Sequence, residues 1–105
     1  NDPAYLEAAA ALAKRMLADG KDDRSRAERG LRLALIRSVK STEIDAVIEA
    51  YQAALEEFKA DAKAANLYLK QVNATPPQGA NEATFAAWSV AANVILNTDE
   101  LITRN

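Results

Sequence analysis

Across residues 44–72 the apolar side chains recur in a strict alternation of four and three: Ile44, Ile48, Tyr51, Leu55, Phe58, Ala62, Ala65, Leu69 and Val72. That spacing gathers every one of them on one side of an α-helix, whereas a strand, with a period of two, would scatter them over both faces. A chain carrying this seam must build its core from helices. Glu49, Glu56, Lys63 and Lys70, spaced by seven, stay outside the seam. Asp61 is able to restart a helix after Ala60, so the stretch is expected either as one long helix or as two meeting at a kink.

The rest of the chain agrees with this. Alanine occurs 24 times in 105 residues, against three glycines and three prolines, which excludes collagenous, disordered and turn-rich all-β folds. Asn1-Asp2-Pro3 offers an N-cap acceptor before a proline at the first helical position. Tyr5, Leu6, Ala9, Leu12, Ala13, Met16 and Leu17 then form one stripe, which ends at Asp19-Gly20. A second helix is expected after Asp22-Asp23 or from Ser25, where Ser25 and Glu28 have capping-box spacing, and should run to about Ser38. Its inner side would be Ala27, Leu31, Ala34, Leu35 and Ser38, and its outer side Arg26, Arg29, Arg37 and Lys40. Ser41 or Thr42 is expected to cap the third helix, with Glu43 and Asp45 in its first turn.

Asn73-Ala74-Thr75-Pro76-Pro77-Gln78-Gly79 is the clearest loop, since two prolines and a glycine cannot continue a helix. Asn81 then caps a last helix with the stripe Phe85, Trp88, Ala92, Ile95 and Leu96. Val90, Ala91 and Val94 widen this stripe until it is nearly continuous, which predicts the central helix of the fold. Asn97-Thr98-Asp99 reads as a stop and recap before a short tail. The expected architecture is a single all-α domain over residues 1–105, an antiparallel bundle of about four helices. The start at Asn1, without a methionine and already inside a helix signal, reads as a piece cut from the C-terminal end of a longer protein.

Charge narrows the choice of partners. Residues 14–40 hold nine basic side chains against four acids, while residues from 41 onward hold four against nine, so mutual packing of the two halves is expected. No window reaches the roughly 18 apolar residues that span a bilayer, so membrane insertion is not expected. Absence of cysteine and histidine excludes disulfides, thiolate nucleophiles, Cys/His zinc sites, covalent haem attachment and imidazole acid–base chemistry in this chain.

Two stretches carry a resemblance. The opening Asn1-Asp2-Pro3-Ala4-Tyr5 with Glu7-Ala8-Ala9 and Leu12-Ala13, and the closing Ala87-Trp88-Ser89 with Asn93-Val94-Ile95-Leu96-Asn97 and Asp99-Glu100, are similar to the C-terminal helical end of one bacterial family. It is the planctomycete cytochrome-associated family of unknown function, whose large members often carry a cytochrome c-like domain near the N-terminus. Arg37 and Glu43-Ile44 match its middle, but Ser38, Val39 and Lys40 stand where prolines and a threonine are common. The resemblance implies an exported, periplasmic parent linked to electron transfer or polymer breakdown. It brings no catalytic residue to this region.

The chemistry-bearing candidates are then few. Met16, the one methionine, sits on an apolar stripe and is read as core, so any haem belongs elsewhere in the parent. Asn97, Asp99 and Glu100 form a polar cluster that is read as helix capping and ion pairing, since calcium needs six or more oxygens at a spacing absent here. Arg26, Arg29, Arg37 and Lys40 are read as a solvated or domain-docking face, because nucleic-acid binding would want interleaved aromatic residues. Trp88 is read as core by its spacing with Phe85 and Ala92. Asn73-Ala74-Thr75 matches the glycosylation rule, a match read as accidental.

No catalytic, cofactor-binding or metal residue is assigned, and no cofactor is expected. The expected role is a non-catalytic structural or interaction module packed on other domains of the parent, with a patch also capable of weak self-association. The alternative is one wall of a composite active site or redox interface, with Arg37 or the Asn97, Asp99 and Glu100 cluster contributing.

Overall fold

A computed structural model of the chain describes residues 3–104, with side chains from residue 4 to residue 98. The described residues are all-α, with no strand. Five helices follow in order: α1 Pro3–Asp19, α2 Asp23–Ala34, α3 Ser41–Ala60, α4 Ala62–Gln71 and α5 Glu82–Arg104. The expected caps at Asn1 and Asp2 lie outside the described residues.

Helix α1 buries Ala9, Ala10, Ala13 and Met16, and lays Leu6, Leu12 and Leu17 against the same core. Met16 is therefore a core residue, as its stripe predicts. Gly20 ends the helix for a reason that spacing does not reveal. A Cβ there would lie 2.7 Å from the backbone nitrogen and 2.8 Å from the Cα of Arg26, so only glycine lets the start of α2 fold back this closely.

The cap of α2 is Asp22, one turn before the expected Ser25–Glu28 box. Its carboxylate accepts from the Ser25 backbone N–H at 2.7 Å, and the Ser25 hydroxyl accepts from the Asp22 N–H at 3.1 Å, a reciprocal capping box. The expected run to Ser38 is also corrected, because α2 stops at Ala34. Leu35 turns extended, at φ −102° and ψ 141°, and is buried, while Val39 packs against the core from the far end of the connector. Both apolar anchors thus reach the core from outside any helix.

Lys40 is the N-cap residue of α3, displacing the expected Ser41 or Thr42. Its ammonium cannot accept a hydrogen bond, so the cap comes from the other direction: Glu43 Oε1 accepts from the Lys40 backbone N–H at 2.9 Å. At Asp61 the backbone is extended, and the Asp61 carboxylate accepts from the N–H groups of Lys63 and Ala64. Residues 41–71 are thus two helices separated by one capping residue, and the break adds the fifth helix to an expected four or so.

The seam splits accordingly. Ile44, Tyr51 and Phe58 are buried together with Val47 and Ala54, while Ile48 and Leu55 are half-buried; beyond the break Ala65, Leu69 and Val72 are buried and Ala62 is exposed. After α4, Asn73 adopts φ 55° and the Ala74 N–H reaches back to the Leu69 carbonyl at 2.9 Å, a left-handed helix end that asparagine tolerates well.

Helix α5 is central, as expected. Phe85, Ala86, Ala87, Trp88, Ser89, Ala91, Ala92 and Ile95 are all fully buried, and α5 packs most extensively on α3 and α1, then on α4 and α2. Asn81 caps it, accepting from the Thr84 N–H at 3.2 Å. Val94 faces outward, so the apolar surface is not continuous around the helix. The expected stop at residues 97–99 is overturned: α5 continues, and the Thr98 hydroxyl donates to the Val94 carbonyl at 2.9 Å.

Candidate functional site

The four cations expected on one helical face are in four different settings. Arg26 folds back toward α1, donating from Nε to the Gly20 carbonyl at 3.2 Å, with Nη1 3.8 Å from Asp23. Arg29 crosses to the last turn of α1 and donates to Asp19 at 2.8 Å, a carboxylate that Arg15 also approaches at 3.7 Å. Arg37 and Lys40 are not on α2 at all, because the helix has ended. Arg37 forks onto Glu43, one arm at 3.0 Å and the other shorter, and donates to the Ser38 carbonyl at 2.9 Å.

That fork sets the electrostatics of the connector. The Arg37 guanidinium, followed by the Lys40 backbone N–H, holds the Glu43 carboxyl at about 2, well below its usual 4.5. Asp22 is lowered too, first by the Ser25 backbone N–H and then by the Ser25 hydroxyl. Two further arginines pair locally: Arg24 with Asp45 of α3 at 2.9 Å, and Arg32 with Glu28 at 2.7 Å. The basic stretch is thus wired to nearby acids, partly across helices, and presents no unbroken cationic face.

Asn97 is half-buried within α5, while the side chains of Asp99 and Glu100, the other members of this cluster, lie outside those described. Among the described residues no group of three or more acids is placed to hold a metal ion. No helix among them is long and apolar enough to cross a membrane.

Two clefts flank the first turn of α5, and the sequence patterns pointed to neither. One, of about 390 Å³, lies between the end of α1, Arg26 and the 77–80 loop, and is lined by Lys14, Gln78, Asn81 and Thr84 together with the apolar Leu17, Ala18 and Pro77. The other, of about 460 Å³, opens between α3, α4 and α5 and shares Asn81 and Thr84, but is lined by Lys59 and Glu82 together. Helical periodicity misses such sites because their residues come from helix ends and flanks, not from a stripe. The only early signal was the Pro-Pro-Gln-Gly loop, whose Gly79 takes φ 85°.

Beneath Thr84 the aromatic rings of Tyr51 and Trp88 stack, with centroids 3.9 Å apart and planes 12° from parallel. Burial, followed by the Asp23 carboxylate, pushes the Tyr51 hydroxyl above its usual range. The Trp88 indole N–H is buried near the Tyr51 hydroxyl, but not in hydrogen-bonding geometry. Trp88 is core, in agreement with its spacing.

No family model, curated protein or solved structure matches this chain.

Proposed function

We propose that this chain is a non-catalytic helical interaction module of a larger exported bacterial protein, belonging, as its terminal motifs suggest, to the planctomycete cytochrome-associated family. In this reading α3 and α4 act as one interrupted column, so that five helices make an antiparallel bundle of about four. The module packs on other domains of its parent, and haem, where the parent has it, is carried there.

One observation supports the interaction role most. Ile36 is fully exposed on the α2–α3 connector, and Leu33 is exposed nearby at the end of α2. Neither is left outside by a loose chain: the connector is anchored by buried Leu35, by half-buried Val39 and by the Arg37–Glu43 fork. A large β-branched side chain held in water by so many constraints is a natural docking point.

Chemical cross-linking of the natural protein containing this chain tests the reading, since Lys40 is exposed four residues from Ile36. Cross-links from Lys40 to residues outside this chain are expected, and the double variant Leu33→Asp, Ile36→Asp should lose them without changing the melting of the chain. Cross-links confined within residues 1–105 would overturn the reading. The composite-site alternative would instead show as an activity of the parent that is lost in Arg37→Ala while the docking cross-links persist.

A further inference from the structure

The cleft between α1, α2 and the 77–80 loop is lined by two cations, Lys14 and Arg26. Lys14 lines it and has no ion-pair partner among the described residues. Arg26 engages Nε with the Gly20 carbonyl and Nη1, at 3.8 Å, with Asp23, which leaves Nη2 unbonded among the described residues. Asn81 engages its Oδ1 with the Thr84 N–H, so its amide NH₂ remains a donor, while the Thr84 hydroxyl beside it is turned to the Tyr51 hydroxyl. No acid lines the cleft, although Asp23 lies close behind Arg26. The neighbouring cleft is the internal control: it has a similar volume and the same Asn81 and Thr84, but Lys59 is set against Glu82.

From these placements we infer that the cleft binds a small organic anion, a phosphate or carboxylate head on a short apolar body. Lys14, Arg26 and Asn81 receive the head, and Leu17 with Ala18 and Pro77 receives the body. Two cations without a lining acid select negative charge, and a mixed polar and apolar lining of this size suits a small ligand, not a polymer. The site is independent of the docking point at Ile36. It adds a ligand to a module whose proposed role is only to interact.

Trp88 supplies the readout, being the only tryptophan and lying one helical turn below Thr84. The 105-residue chain is titrated with phenyl phosphate, inorganic phosphate, benzoate and benzylamine, following Trp88 fluorescence and the backbone amide NMR signals of residues 78–84. Phenyl phosphate or benzoate is expected to give saturable shifts, and the tighter of the two identifies the head. Inorganic phosphate should bind several-fold more weakly than phenyl phosphate, for lack of an apolar body. Lys14→Glu, at an exposed position, should weaken binding about tenfold, while Lys59→Glu in the neighbouring cleft should leave it unchanged.

A response that never saturates, that is equal in Lys14→Glu, or that benzylamine reproduces would overturn the inference. Thermal melting of both variants checks that the fold is retained. If Lys14→Glu fails to fold, Lys14→Gln gives the same comparison with a smaller expected loss.

Discussion

Residues 85–95 of α5 and residues 35–40 of the connector are both well-defined, but for opposite reasons. In α5 the determinant is volume: Phe85, Trp88 and Ile95 are fully buried among alanines, and space is so tight that Gly30 of α2 approaches the ends of Met16 and Ile95. In the connector the determinant is polar geometry, with the Arg37–Glu43 fork and the Lys40 N–H bond set at the protein surface. Free energy is therefore unevenly spread. Fully burying an aromatic or large aliphatic side chain contributes roughly 1.5–3 kcal/mol, whereas a solvent-exposed ion pair contributes at most about 1 kcal/mol.

The largest expected effect is at the inner end of the comparison. Trp88→Ala removes the partner of the Tyr51 ring and leaves a cavity at the most enclosed point, and should cost about 4 kcal/mol in urea denaturation. Trp88→Phe should cost clearly less, because it keeps a ring against Tyr51 and deletes an N–H that meets the Tyr51 hydroxyl in poor geometry at best. If the two variants were equally destabilised, the volume argument would fail and the indole N–H would have to be bonded.

The glycines separate two kinds of close packing. Gly20→Ala drives a Cβ into the Arg26 backbone at 2.7 Å, which a side-chain rotation cannot relieve, and should cost about 2–3 kcal/mol. Gly30→Ala meets only the flexible ends of Met16 and Ile95, at 2.7 and 2.8 Å, and gains helix propensity. A loss of about 1 kcal/mol is expected there. Thermal melts of both variants check the order, and a larger loss at Gly30 would show that the buried methionine cannot move.

Local periodicity carries part of this fold, and tertiary contacts carry the rest. The all-α class, the burial of Met16 and Trp88, the Asn81 cap and the central place of α5 follow from three- and four-residue spacing and simple caps. The end of α2 does not, because Leu35 leaves the helix to reach the core, and nothing in its local pattern separates that from one more turn. For the same reason the sequence pattern places Arg37 and Lys40 on a helical face that the fold never forms. The cleft at Lys14 and Arg26 was illegible because it needs α1, α2 and the 77–80 loop to converge.

Acid sharpens the contrast from the connector side. Glu43 titrates at about 2 when folded against a usual 4.5, so the unfolded chain takes up this proton more readily. The stabilisation is fully present above pH 4.5 and is lost as pH falls toward and through 2. Because the Arg37 side chain is 35 % exposed, solvent screening reduces the contribution to about 1 kcal/mol. Glu43→Gln should therefore lower the urea midpoint at pH 7 and flatten its dependence between pH 4.5 and 2. A variant with the wild-type pH profile would place that acid sensitivity at other carboxylates, Asp22 first among them.

The smallest effect should come from the outermost residues, and it is informative because it is small. Arg24 meets Asp45 at 2.9 Å, but the two side chains are 51 % and 64 % exposed, so the bond competes with water on both sides. Arg24→Ala should shift stability by no more than about 0.5 kcal/mol, and raising the salt concentration should erase even that. Ile36→Asp should be equally silent in the chain alone, since a fully exposed side chain has no burial to lose. A marked destabilisation by Ile36→Asp would mean that this residue is already covered, by a second copy of the chain, and dilution would then lower the melting temperature of the unmodified protein. Silence in both variants would leave the connector held by Leu35, Val39 and the Arg37–Glu43 fork, with Ile36 free for a partner.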